Sequence, residues 1–340
     1  MAGLLFIALV ALVSALGSFI RPDSTPDAND QSLVLSRLKP GSSVTEIRLE
    51  NNTPEVSIWR EWLDGGKAKN HLAIPVDSIS CSTDSITYWM KEQANNNGVT
   101  IANGDLMKHS DGDYLFRRTF YLGTDKYGRD LLSRLMAGAL ISLAVGSIAV
   151  IISLLVGLTL GLLAGYYRGW VDQLIMWFTN VIWAVPTLIL VMAITFAFGT
   201  GFWKVFLAVG LTMWVEVARI ARGQVLSIRE KEYIEAARAL GFSEMRIIFK
   251  HVLPNILSPI IVISAANFAS AILIEAGLSF LGLGAQIPTP SWGNMIREHY
   301  AYITTDLAYL AIVPGFMIML LVLAFMMVGN GLRDALDVRE

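Results

Sequence analysis

The chain has 340 residues, 54% of them apolar and 16% charged, and its 26 basic and 28 acidic side chains leave a formal net charge of −2. A soluble domain carries about 25% charge, and a nucleic-acid binder shows a clustered basic excess, so both classes are excluded. The single cysteine, Cys81, excludes an internal disulfide framework and a multi-thiolate metal site.

Runs free of Asp, Glu, Lys and Arg set the layout of an integral membrane protein. A crossing helix needs about 20 mostly apolar residues, and open backbone cannot face lipid. Six spans are predicted, at roughly 2–20, 138–165, 174–198, 203–220, 256–282 and 307–328. The alternating ~10-residue stretches of a membrane β-barrel are not seen. The expected fold is an all-α integral membrane protein of six transmembrane helices, with a small extracytoplasmic domain between the first and second.

The first span, residues 1–20, reads as an uncleaved anchor. Its Leu4–Leu16 core followed by Gly17 and Ser18 leaves a cleaved signal peptide as the alternative. Residues 21–122 hold no run long enough to cross and form the extracytoplasmic insert. There Ser32–Leu38 and Ser43–Glu50 alternate like strands around the turn-prone Pro40–Gly41. Asp84 is placed to cap a short helix with Ile86, Trp89, Met90 and Gln93 on one face. Trp59, Trp62, Trp89, Tyr114 and Phe116 supply a small core. The insert reads as a spacer on the membrane surface or as a dock for an external partner.

Residues 123–340 form the membrane domain, with five helices and a cytoplasmic loop at about 222–254. Gly157, Gly161 and Gly165 lie on one face of the second span, where close helix packing is the expected use. Glu216 and Arg219 stand i,i+3 near the end of the fourth span and read as a local ion pair. Sidedness follows from short-loop Lys and Arg. Arg168, Arg219, Arg222, Arg229, Lys231, Arg238, Arg246, Lys250, Arg333 and Arg339 fall on one side, against Lys204 and Arg297 on the other. The richer side is expected in the cytoplasm, with both termini there.

The basic loop between the fourth and fifth spans carries the sharpest signal. Ile228–Leu240 is a predicted helix in which Glu235-Ala236-Ala237 presents very small side chains, and Gly241 stops it. Ser243 is placed to cap a second short helix through Phe249, and Pro254 marks the start of the next span. Two short helices meeting at a glycine make a knob whose small side chains admit a partner backbone; an amphipathic interfacial loop is the alternative.

Glu235-Ala236-Ala237, three residues, Gly241, nine residues, then Leu253-Pro254 resembles the EAA loop of permease subunits of bacterial ATP-binding-cassette (ABC) importers, with His251 where an apolar residue is usual. Gly123-Thr124-Asp125 through Gly128-Arg129-Asp130, Gly165 through Asp172, Leu278 through Gly284, Pro288 through Gly293, and Gly331 through Asp337 are similar to signatures of the dipeptide, oligopeptide and nickel branch, C-type (DppC/OppC-like). The likeness runs from about residue 121 to the end. Members normally have a charged lead before the first span and a shorter external segment, so residues 21–120 lie outside it.

The resemblance implies a type I importer permease fold and a non-catalytic permease forming half of the route for peptides or related small solutes. Glu235, Ala236, Ala237, Gly241, Leu253 and Pro254 would couple it to the ATPase. Implied partners are a second permease (DppB/OppB-like), two ABC ATPase subunits (DppD/DppF-like), an extracytoplasmic substrate-binding protein and membrane lipid, with no nucleic acid. The chain lacks a G-x-x-x-x-G-K-[ST] loop. It is therefore expected to carry no cofactor, with ATP and Mg on the partner ATPases.

Other chemistry is sparse. His71, His109, His251 and His299 show no metal-ligand spacing with one another or with Cys81. Glu275 lies within the fifth span and is a candidate pathway carboxylate, with pairing to the other permease or a solvated rim as alternatives. Asp125, Arg129 and Asp130 read as an amphipathic surface segment, with substrate contact as the alternative. A gradient-driven secondary transporter would need more ionisable groups in its spans, and a purely structural membrane anchor would leave the loop unexplained.

Overall fold

The computed structural model describes residues 1–51, 57–82, 85–90, 98–102, 106–107, 114–199 and 202–336. The chain begins with apolar α1 (Ala2–Ala15) and a single further turn, α2 (Gly17–Ile20). At 1.5 Å per residue α1 rises about 21 Å, short of the roughly 30 Å hydrocarbon core. It packs against the last helix and the first long one.

The insert is a sheet, which corrects the all-α expectation. Strands β1 (Ser42–Glu50), β2 (His71–Cys81), β3 (Ser85–Met90), β4 (Val99–Ala102) and β5 (Phe116–Phe120) are antiparallel in the order β4-β3-β2-β1-β5. Ile47, Val76, Ile86, Tyr88 and Leu106 form its buried core. The helix expected after Asp84 is instead β3. Ile86 and Tyr88 alternate inward with period two, as suits a β-branched and aromatic run. Asp84 and Gln93 lie outside the described residues, as does His109. The alternation read over Ser32–Leu38 resolves into a short 3₁₀ turn, Leu33–Leu35.

Trp59 and Trp62 do not join the core. They sit on a short helix, α3 (Ile58–Leu63), with Trp59 77% exposed. The Trp62 indole donates to the Ala15 carbonyl at the end of α1 (2.9 Å).

The helical part follows as α4 (Leu131–Tyr167), α5 (Gly169–Trp183), α6 (Thr187–Phe198), α7 (Phe202–Arg229), α8 (Glu232–Ala239), α9 (Glu244–Ile247), α10 (Leu253–Phe280), α11 (Trp292–His299) and α12 (Tyr309–Leu336). Among the described residues, Leu131–Tyr167, Glu244–Phe280 and Tyr309–Leu336 are long and apolar enough to cross a membrane, and a fourth crossing exists if α5 and α6 count as one span. Those two helices meet at 94°, so the span read at 174–198 is broken. Pro186 has no N–H to donate and disfavours helical backbone at Val185. α7 carries Glu216, Arg219 and Arg222, and is not among the crossing stretches.

α4 and α7 form the centre of the bundle. A Cβ on Gly157 would lie 2.6 Å from the Val217 Cβ, on Gly161 2.6 Å from the Ala221 Cβ, and on Gly165 2.7 Å from the Val225 Cβ. The glycine stripe thus lets two backbones approach closely, as its spacing predicts.

Candidate functional site

The loop after α7 is an apolar wedge with a bare outer surface. Gly241 adopts φ +73°, and its N–H donates to the Arg238 carbonyl (2.9 Å) while that of Phe242 donates to Ala237 (3.1 Å). These two bonds are the Schellman closure, which favours glycine because L side chains strain in the left-handed region. Ile234, Ala237, Ile247, Ile248 and Val252 bury themselves in the core that holds Val217, Val225 and Ile256. Glu235, Ala236 and Gly241 face outward, beside Leu240 (74% exposed), Met245 (58%) and Phe249 (60%).

The second short helix differs from expectation. Ser243 makes no side-chain cap bond, α9 stops at Ile247, and a π-helical turn (Ile248–Val252) carries the chain directly into α10, with Pro254 in its first turn. His251 stacks on Phe242 (6.2 Å between centroids), so its ring serves as the flat surface an apolar side chain would otherwise supply. The Gly165–Asp172 segment supports the loop from below. Asp172 receives two bonds from Arg222, at 2.5 and 2.6 Å, and Arg229 donates to the Tyr166 carbonyl.

A second constellation lies at the start of α4, and it corrects the surface-segment reading of Asp125, Arg129 and Asp130. All three are buried. The Asp125 carboxylate accepts from Arg129 Nε (2.6 Å) and from the backbone N–H groups of Tyr127 (2.8 Å) and Arg129 (3.0 Å). Arg129 also donates to Glu298 (2.6 Å), and Arg134 stands 3.9 Å from Asp125. Asp130 caps α4, accepting from the Ser133 N–H at 2.9 Å; burial raises its pKa, against the hydrogen bonds from Ser133. Asp125, Glu298 and His299 lie close enough together to share a metal ion, but the Arg129 guanidinium already binds both carboxylates.

Glu275 is 1% exposed, which removes the rim alternative. Its Oε1 accepts from Ser279 Oγ (2.6 Å), and Ser279 in turn meets Ser291, the N-cap of α11, at 3.1 Å. The carboxylate therefore sits at the amino end of α11, where the helix dipole favours negative charge.

A cavity of about 270 Å³ opens at the α5–α6 bend, bounded also by α7 and α10. Trp183, Thr187, Thr212, Ser270 and Glu216 line it among apolar side chains. The ion pair expected between Glu216 and Arg219 is not formed. Arg219 donates to Asn180 (2.5 Å) and lies over the Trp183 ring (4.0 Å).

Residues 157–339 match the family described as binding-protein-dependent transport system inner membrane component. The chain belongs to that family. It is 45% identical over 288 residues to the dipeptide transport system permease protein DppC of Alkalihalophilus pseudofirmus, covering 85% of this chain and 92% of that protein. It is 36% identical over 285 residues to the glutathione transport system permease protein GsiD of Pectobacterium atrosepticum, covering 84% and 91%. A chain of the inward-facing methionine ABC transporter MetNI shares its fold at a TM-score of 0.51 and 20% identity, over 59% of this chain and 95% of that one. The chain is thus an ABC importer permease of the DppC type, a multi-pass inner-membrane subunit without catalysis of its own. Such a permease works with an ATPase, a second permease and a substrate-binding protein.

Glu235, Ala236 and Gly241 lie on the exposed loop, and Asp125, Arg129 and Asp130 lie in the buried cluster. Sequence reasoning missed Glu298, Arg134 and Ser279. Arg134 alone carried a signal, as a charge in the first turn of a long apolar helix.

Proposed function

We propose that this permease imports peptides and couples to its partner ATPase through the loop that carries Glu235, Ala236, Ala237, Gly241, Leu253 and Pro254, with Ala237 anchoring its inner face. The observation that carries this reading is the two-sided loop. Its inner face is buried in α4, α7 and α10, and its outer face combines Ala236 and Gly241 with exposed apolar side chains. A partner pulling on that face would move the helices with it. On this reading the chain would cross six times, with residues 21–122 outside and both termini inside. Exposed Trp59 and Trp62 beside the end of α1 suit an aromatic belt at the membrane interface. A DppB/OppB-like permease would complete the route, DppD/DppF-like ATPases would hold ATP and Mg, and an external binding protein would deliver the peptide. The relatives named for dipeptide and glutathione support the substrate class. In the reconstituted complex, Glu235→Lys or Gly241→Asp should insert normally and lose substrate-stimulated ATP hydrolysis. Undiminished stimulation in both variants would overturn the coupling assignment.

A further inference from the structure

We propose that Glu216 is the carboxylate that receives the primary ammonium group of a peptide in transit through this permease, an inference that rests on the peptide-import reading above. Glu216 is the one charged side chain lining the cavity at the α5–α6 bend. Among the described residues it has no hydrogen-bond or ion-pair partner, because Arg219, one turn further along α7, is committed to Asn180 and Trp183. The other carboxylates within these helices are each engaged: Asp172 by Arg222 and Glu275 by Ser279.

Position adds to the case. Glu216 lies one turn before Arg219 on α7 (Phe202–Arg229), at the end of that helix's apolar stretch, and its side chain is exposed in the single chain. An ionisable group among apolar membrane helices is costly, and its usual use is a substrate or ion route. Broken helices are where secondary transporters place their sites, and the same break can serve a permease. The 94° bend supplies such a break beside the cavity.

The chemistry selects the ligand. An ammonium has three donors and no acceptor. The cavity offers it a carboxylate together with the hydroxyls of Thr187, Thr212 and Ser270, and no Lys or Arg lines the wall. Dipeptides and glutathione differ in backbone linkage and side chains, yet both carry a primary ammonium. A volume of about 270 Å³ is near the lower bound, about 300 Å³, for a small-molecule pocket, as suits a chain that forms half of the route.

The test uses the nucleotide-free permease–ATPase complex in nanodiscs, titrated calorimetrically with alanyl-alanine and with N-acetyl-alanyl-alanine. Wild type should bind the free amine about tenfold to a hundredfold more tightly, the range for a hydrogen bond to a charged group. Glu216→Gln should erase that preference by weakening alanyl-alanine alone, and Glu216→Asp should keep most of it. A preference that survives in Glu216→Gln, or no preference in wild type, overturns the proposal. ATP-driven uptake of alanyl-alanine by wild-type proteoliposomes separates the two readings. Absent uptake refutes peptide import and this inference with it, whereas normal uptake with equal binding by Glu216→Gln refutes the Glu216 assignment alone.

Discussion

The start of α4 and the loop after α7 are held by opposite chemistry. At the first, Asp125, Arg129 and Glu298 bury charges against one another and join the chain before α4 to α11. At the second, Ile234, Ile247 and Val252 bury apolar surface, and Glu235, Arg246 and Lys250 stay outside. Buried ion pairs are directional and punish the loss of either partner, whereas apolar contact is non-directional. The ion pairs of the first region close within this chain. The second keeps a rigid attachment and an unspent surface, which is what docking to another subunit requires.

That contrast can be broken experimentally. Arg129→Met should cost about 3–5 kcal/mol, since it removes the cation that bonds both carboxylates and leaves only the more distant Arg134, 3.9 Å from Asp125, in a buried site; thermal unfolding of the purified complex would measure it. Gly161→Leu should cost about 1–3 kcal/mol by overpacking the α4–α7 contact, and the same melt would show a smaller fall. Acid should act on the first region. Burial lowers the His299 pKa, against the Met295 carbonyl and nearby Asp125 and Glu298, so the fold holds its imidazole neutral. That contribution is complete above the ordinary value of about 6.5 and fades as pH falls through the lowered pKa. The melting temperature should therefore drop from about pH 7 to pH 5, and His299→Gln should flatten the slope. The smallest effect belongs near the loop: Arg168→Ala breaks an exposed pair with Glu230 (2.5 Å) and should cost at most about 1 kcal/mol.

The two regions also differed in how far the sequence disclosed them. The loop was readable because its information is local: small residues, a stop glycine and a proline fall within one stretch of chain. Asp125 and Glu298 are distant in sequence, and nothing in their spacing links them. The long apolar runs predicted α4, α10 and α12 well. The bend at Pro186 escaped because a charge-free run reports composition and not backbone geometry. β3 was misread because Ile86, Trp89 and Met90 fit a helical face as well as Ile86 and Tyr88 fit a strand, and cross-strand pairing with β2 decided between them.

α7 has one more consequence, in the arithmetic of a lever. It runs unbroken from Phe202 to Arg229, a rod of about 42 Å that begins four positions after α6 ends and stops two residues before α8. Tilting such a rod by about 10° around its midpoint sweeps each end through about 3–4 Å in opposite directions. A displacement no larger than an atom's diameter at the loop is thereby returned, with reversed sign, at the far end of the helix.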